Sequence, residues 1–148
     1  MTVAVDYALS YKALLIPAGA WVVAQTIKVI IYSIQERRLL LYYLVRMGGM
    51  PSAHSATVCS LATSVGIIEG LNSTVFAVAV FFAFLVMYDA AGVRKTVGTH
   101  SGIINRMLDE LFKGHPEFEL RFRELIGHTR FEIAAGAILG ILLALWWT

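Results

Sequence analysis

The sequence predicts an all-α integral membrane protein, with about four transmembrane helices plus interfacial helices, as a single membrane-embedded domain over residues 1–148. Three observations carry this expectation. Hydrophobic residues make up 58% of the chain and charged residues 15%, whereas a soluble domain carries roughly 25% charge. Mean hydropathy is +0.72. Four apolar stretches approach the roughly 20 residues that cross a bilayer, and most charges lie between them. The net charge of +2 says little, because in a membrane protein the placement of charge matters more than its sum. The membrane is the expected partner and nucleic acid is not; homo-oligomerisation is left open.

No cleavable signal peptide is expected: the N-terminus carries Asp6 and no basic residue before Lys12. The first span is residues 13–34. Pro17 and Gly19 are tolerable there, whereas Gln25 and Lys28 are anomalous and share a helix face. Two readings of Lys28 stand open. It snorkels to the interface, or it points inward at an anion, as ionisable residues in spans usually do. Residues 35–50 are basic and amphipathic, with Arg37, Arg38 and Arg46 around an apolar run too short to span. They read as an interfacial helix or loop at headgroup level, a zone that suits Tyr42 and Tyr43.

Next comes Gly48-Gly49-Met50-Pro51-Ser52-Ala53-His54-Ser55. The glycines loosen the backbone. Pro51 fits the first helical position, where its missing N–H costs nothing, and Ser52 and His54 ride on that turn. The second span, residues 51–69, is rich in small residues that permit close packing. Cys59, the single cysteine, excludes an internal disulfide and reads as packing. A tight turn at residues 70–73 leads to the third span, residues 74–91, Phe-rich and lipid-facing. Asp89 and Arg94 mark its exit. Residues 96–127 are the one soluble-looking stretch, with Ile103, Ile104, Met107, Leu108, Leu111 and Phe112 at helical spacing. Gly114 and Pro116 then break the pattern before a second short helix at residues 118–126, giving a helical hairpin against the membrane surface. The fourth span, residues 128–148, opens on His128, Thr129, Arg130 and Glu132, contains Gly136 and Gly140, and closes on Trp146 and Trp147 as an interfacial anchor.

Four antiparallel spans bring Lys28, His54, Asp89, Arg94 and His128 to one face, together with eleven of the twelve Lys and Arg residues. The positive-inside rule makes that face cytoplasmic. A lipid phosphomonoester would meet Lys28, Arg94 and some of Arg37, Arg38 and Arg46, and arginine binds phosphate oxygens bidentately. The N-terminus of the second span offers orphan N–H groups to an anion, and Ser52 adds a hydroxyl. One imidazole can attack phosphorus while another protonates the leaving oxygen. His128 and Glu132, four apart, share a face. A metal site from His54, Asp89, His128 and Glu132 is the alternative, but the His-Glu-x-x-His spacing of zinc hydrolases is absent. Asn105 caps, contacts phosphate or packs. His100 and His115 are given no role.

Gln25-x-x-Lys28, Gly48 to Ala56, Asp89-Ala90-Ala91-Gly92-Val93-Arg94 and Gly127 to Gly136 together resemble the divergent branch of the type-2 phosphatidic acid phosphatase superfamily, related to vanadium haloperoxidases. The resemblance covers nearly the whole chain. It implies a reduced version of that helical bundle and a metal-free mechanism through phosphohistidine, without cofactor. By position, His128 is the implied nucleophile, Glu132 its orienting carboxylate and His54 the acid for the leaving group. Lys28, Ser52 and Arg94 hold phosphate, with Asp89 and Asn105 as supporting candidates. The chain departs from the pattern at Gln35, where the superfamily has Arg-Pro (Arg37 is the nearest candidate). It departs again at Ala53 for glycine, at Phe122 for arginine (Arg94, Arg121 and Arg123 being the candidates) and at Glu132 for aspartate.

The expected function is hydrolysis of a phosphomonoester headgroup of the phosphatidylglycerophosphate or phosphatidic acid class. The alternatives are a non-catalytic lipid-phosphate binder or transporter, a polyprenyl pyrophosphate phosphatase, and a purely structural membrane subunit. The topology is tested by single-cysteine labelling from outside the cell, in a background without Cys59: Ser73→Cys should label and Thr99→Cys should not. Preferential labelling at position 99 would overturn the cytoplasmic placement.

Overall fold

A computed structural model describes residues 2–44, 49–111 and 129–148. Among these the chain forms five α-helices and no strand: α1 (Thr2–Gln35), α2 (Ala53–Glu69), α3 (Thr74–Ala91), α4 (Val93–Leu111) and α5 (Arg130–Trp147), with a short 3-10 helix at Leu41–Leu44. Three segments, Tyr11–Gln35, Thr74–Ala91 and Arg130–Trp147, are long and apolar enough to cross a membrane. This gives a helical bundle with three candidate spans, and α2, the second of the four expected spans, lies among them at 17 residues.

α2 is the axis of the bundle and packs against α1, α3 and α5. Its Ala, Ser and Gly side chains are short, so three neighbours can approach it at once. Its hydroxyls do not demand outside partners: Thr57 donates to Ala53 O at 2.8 Å, Ser60 to Thr57 O at 2.9 Å and Thr63 to Cys59 O at 2.8 Å. Back-bonding of this kind satisfies a hydroxyl within its own helix. A helix screened from lipid on three sides needs little apolar surface, which accounts for its weak hydropathy.

The directions of the helices follow from their contacts. Gly136 of α5 lies on the Ser52 backbone and Gly140 on that of Ala56, where any Cβ would collide with the carbonyl oxygens. Both numbers rise together, so α2 and α5 run parallel. α3 returns antiparallel to α2: Phe76 packs at Gly66, and the sulfurs of Cys59 and Met87 are 3.7 Å apart. α1 is antiparallel to α5, with Trp147 over Gly19 and Lys12 Nζ donating to Thr148 O at 3.1 Å. The C-terminal ends of α1 and α3 and the N-terminal ends of α2 and α5 therefore gather at one end of the bundle, as the alternation of spans requires.

Several boundaries differ from expectation. α1 starts at Thr2, eleven residues before the expected span, because nothing before Pro17 breaks a helix. Pro51 is not the first helical residue. Ser52 is the N-cap, with its Oγ accepting from Ser55 N at 3.4 Å, and a hydroxyl that satisfies an orphan donor outranks a proline that merely lacks one. α4 begins at Val93, well before the first of the periodic apolar positions, since Gly92 keeps a right-handed conformation (φ −103°) and its carbonyl accepts from Thr96 N. The expected helix at residues 118–126 lies outside the described residues. Among the described elements α4 packs on α3 alone, and Ile103, Ile104, Met107 and Leu111 are exposed there. α3 buries only Ala79, Ala83 and Ala90; Phe81, Phe82 and Phe84 face outward, while Phe76 packs on α2.

The Gly136 and Gly140 contacts set the α2–α5 separation. Overpacking a tight core costs about 1–3 kcal/mol, and more where only backbone can move. In detergent, Gly140→Val should lower Tm by about 5–10 °C, while Ala134→Val on the exposed face of α5 should shift it by about 1 °C. Equal shifts would mean that the helices are not held at this distance.

Candidate functional site

The site end of the bundle is built from the register of α1. Ala24 packs with Ala53 and Ala56 of α2, and two turns later Tyr32 lies against Gly49. Gly49 has φ +84°, and a Cβ there would sit 2.8 Å from the Tyr32 hydroxyl, so glycine is required twice over. Tyr43 stacks on the same Tyr32 ring at 4.3 Å and pins the connecting segment. Lys28 stands midway between these two contacts on the same face. It is 1% exposed, and Gln25, one turn away, is 6% exposed. Burial therefore decides between the two readings of Lys28: its ammonium does not run out along the bundle surface.

α2 and α5 close the site from the other side. Ser52 N donates to Glu132 O at 3.0 Å, which joins the N-termini of the two helices. Ser52 and Ser55 are fully buried, and Ser55 Oγ donates to Ser52 Oγ at 3.1 Å. His54 is half-buried with its Nδ1 inside the protein. Thr129 caps α5: its Oγ1 accepts from Glu132 N at 3.3 Å, and Glu132 Oε2 accepts from Thr129 N at 3.1 Å. That reciprocal pair is a capping box. The half-buried Glu132 carboxylate is also close enough to act electrostatically on Lys28. Thus Lys28, Ser52 and Glu132 converge, with His54 on the first turn of α2.

A charge as deeply buried as Lys28 is expensive unless paired and hydrogen-bonded. Glu132 is the carboxylate that acts on it, and among the described residues Oε1 of Gln25 is buried without a hydrogen-bond partner. The cluster thus presents a buried ammonium with one carboxylate beside it, the Ser52 hydroxyl and the orphan N–H groups of a helix start, donors suited to an anion.

Of the other expected residues, some lie on neighbouring elements and some outside the described residues. Arg37 follows the end of α1 with φ 50°, and its side chain is exposed. Asp89 is half-buried near the C-terminus of α3. Asn105 lies on α4, which among the described residues packs on α3. Arg94 opens α4, but its side chain is outside the described set. His128, Arg46, Arg121 and Arg123 lie outside the described residues, His128 directly before Thr129 in sequence. Among the described residues no three His, Cys, Asp or Glu group as a metal site would.

Three features of the site escaped the sequence reading. The Thr129-x-x-Glu132 spacing is a capping-box signature that was there to be read. Ser55 follows Ser52 by three residues, the helical spacing of neighbours. Ala53 packs its methyl with Ala24, so the departure from glycine is filled by a contact with α1. An apolar groove of about 690 Å³ between α3 and α5 is a separate feature: its upper limit on α2 is Cys59, two turns below Ser52.

Residues 9–143 match the Divergent PAP2 family. The chain belongs to this family. It is also similar to "Uncharacterized membrane protein YuiD" of Bacillus subtilis (strain 168), with 37% identity over 143 residues, covering 89% of this chain and 90% of the relative. No solved structure matches it. Family membership and the membrane-protein relative agree with the apolar helices in placing the chain in a membrane.

If Lys28 is held for an anion and not for the fold, Lys28→Met should leave Tm in detergent unchanged or raise it, since a costly buried charge is removed. The same variant should lose phosphate binding, read by titration with a short-chain lipid phosphate. A fall in Tm of more than about 5 °C would make Lys28 a structural residue.

Proposed function

We propose that the protein is a membrane lipid phosphate phosphatase acting on a phosphomonoester headgroup at the cytoplasmic end of the bundle. The observation that carries this reading is Lys28: a lysine 1% exposed, inside a span and beside a helix start, needs an anion. The lipid tail lies along the bundle and the headgroup enters at the gathered helix ends. Lys28, the first turn of α2 and Arg94 neutralise the phosphate oxygens. The His128 imidazole attacks phosphorus, with Glu132 on its other side, and the bond to the leaving oxygen breaks as His54 supplies the proton. Water then releases phosphate from the phosphohistidine. Family membership supports a phosphatase-related chemistry, and the burial of Lys28 in a helix apolar enough to span a membrane supports a lipid as the substrate.

The second reading, a lipid-phosphate binder without turnover, draws on Ala53: its methyl occupies a place where the superfamily leaves backbone bare to the phosphate. Phosphate release from short-chain phosphatidic acid and phosphatidylglycerophosphate, with chelator present, separates the two. For the phosphatase, His128→Ala should abolish release and His54→Ala should reduce it about 10²–10⁴-fold. Release that is unchanged in His128→Ala removes the nucleophile. Lipid binding with no release from the parent protein establishes the binder.

A further inference from the structure

Gln25 has no part in the chemistry above, yet it is 6% exposed and among the described residues its Oε1 is buried without a hydrogen-bond partner. An unsatisfied buried acceptor costs about 1–3 kcal/mol. Nothing on its own helix relieves the cost, although Thr26 beside it donates to Val22 O at 2.8 Å. Its position gives the acceptor a use. Gln25 and Lys28 share a face, and Gln25 lies one turn deeper, about 4.5 Å further into the bundle along α1. With phosphate on Lys28 and the tail running inward, Gln25 meets the atoms just behind the phosphate. A carbonyl oxygen there is of no use to the phosphate, whose oxygens are acceptors too. It calls for a donor on the organic part of the substrate. A hydroxyl on the second carbon behind the phosphate ester oxygen is a donor at about this reach. A hydrocarbon chain attached directly to the phosphate would leave the acceptor unsatisfied.

We propose that Gln25 is a specificity-determining residue of this site. Its side-chain carbonyl accepts a hydrogen bond from a headgroup hydroxyl, so the preferred substrate is a phosphomonoester of a hydroxyl-bearing, glycerol-type headgroup. Phosphatidic acid, fully esterified, and polyprenyl phosphates lack that hydroxyl. The inference rests on the lipid-phosphate reading of the site and selects within it. A site that hydrogen-bonds a substrate hydroxyl rejects the analogue without it, because its own polar group is left unpaired.

The test uses two probes that differ by one group: 1-acyl-glycerol 3-phosphate and its 2-deoxy counterpart, titrated calorimetrically into the full-length protein in detergent. The parent protein should bind the hydroxylated probe roughly tenfold more tightly or better. Gln25→Leu should bring the two affinities together, chiefly by weakening the first. Gln25→Met, which keeps side-chain length, repeats the comparison if the leucine variant does not fold. Equal affinities in the parent protein, or a preference that persists in both variants, overturn the role of Gln25 and leave the lipid-phosphate site standing. Failure of the parent protein to bind either probe overturns both.

Discussion

Everything at the site end depends on how closely α5 can lie on α2. Lipid tails are as apolar as side chains, so membrane helices gain little by hiding apolar surface from one another and associate through close packing. Gly136 and Gly140 remove the only atoms that would hold α5 away from the Ser52 and Ala56 carbonyls. The approach brings Ser52 N to Glu132 O, and the two helices then start at the same level, side by side. Two parallel helix starts point two positive dipole ends in one direction. α1 contributes the third wall and Lys28, the nearest full charge. The site is less a cleft between loops than a consequence of two glycines four residues apart.

That arrangement makes the polar cluster electrostatically one-sided. Lys28 adds to the potential of the two helix starts, and the countercharge within the described cluster comes from Glu132, already held by the Thr129 N–H. A carboxylate fixed in a capping box is anchored to the end of α5. The cap therefore does two things at once: it secures the helix start, and it holds the acid where it acts on Lys28.

How much of this could be read in the sequence depends on the range of the interaction concerned. The glycine pair, the outward Phe81, Phe82 and Phe84 of α3 and the gathering of span ends follow from spacing and composition, which act over one helix turn or one span. The start of α2 was misplaced by two residues because Pro51 and Ser52 both signal a helix start, and only the Ser55 N–H bond decides between them. The early start of α4 was hidden because Gly92, a residue that usually stops a helix, takes a helical conformation here. Burial of Gln25 and Lys28 was half legible: their shared face is a matter of spacing, but the depth of that face depends on α2 and α5, more than twenty and a hundred residues away. Arg37 illustrates the converse. Its charge and its place after the first span suited a phosphate ligand, yet a left-handed residue past the helix end leaves it in the open.

α2 has a consequence for biogenesis. α1, α3 and α5 each carry enough apolar surface to settle in a bilayer alone, whereas α2, short and rich in serine and alanine, has little to gain there until neighbours surround it. Its tight link to α3, capped by Ser73, lets it be drawn in as the partner arm of a hairpin. Its final seat then exists only after the far end of the chain has arrived, because α5 supplies the wall that Ser52 leans on. The polar cluster around Lys28 is thus completed only once α5 has packed on α2.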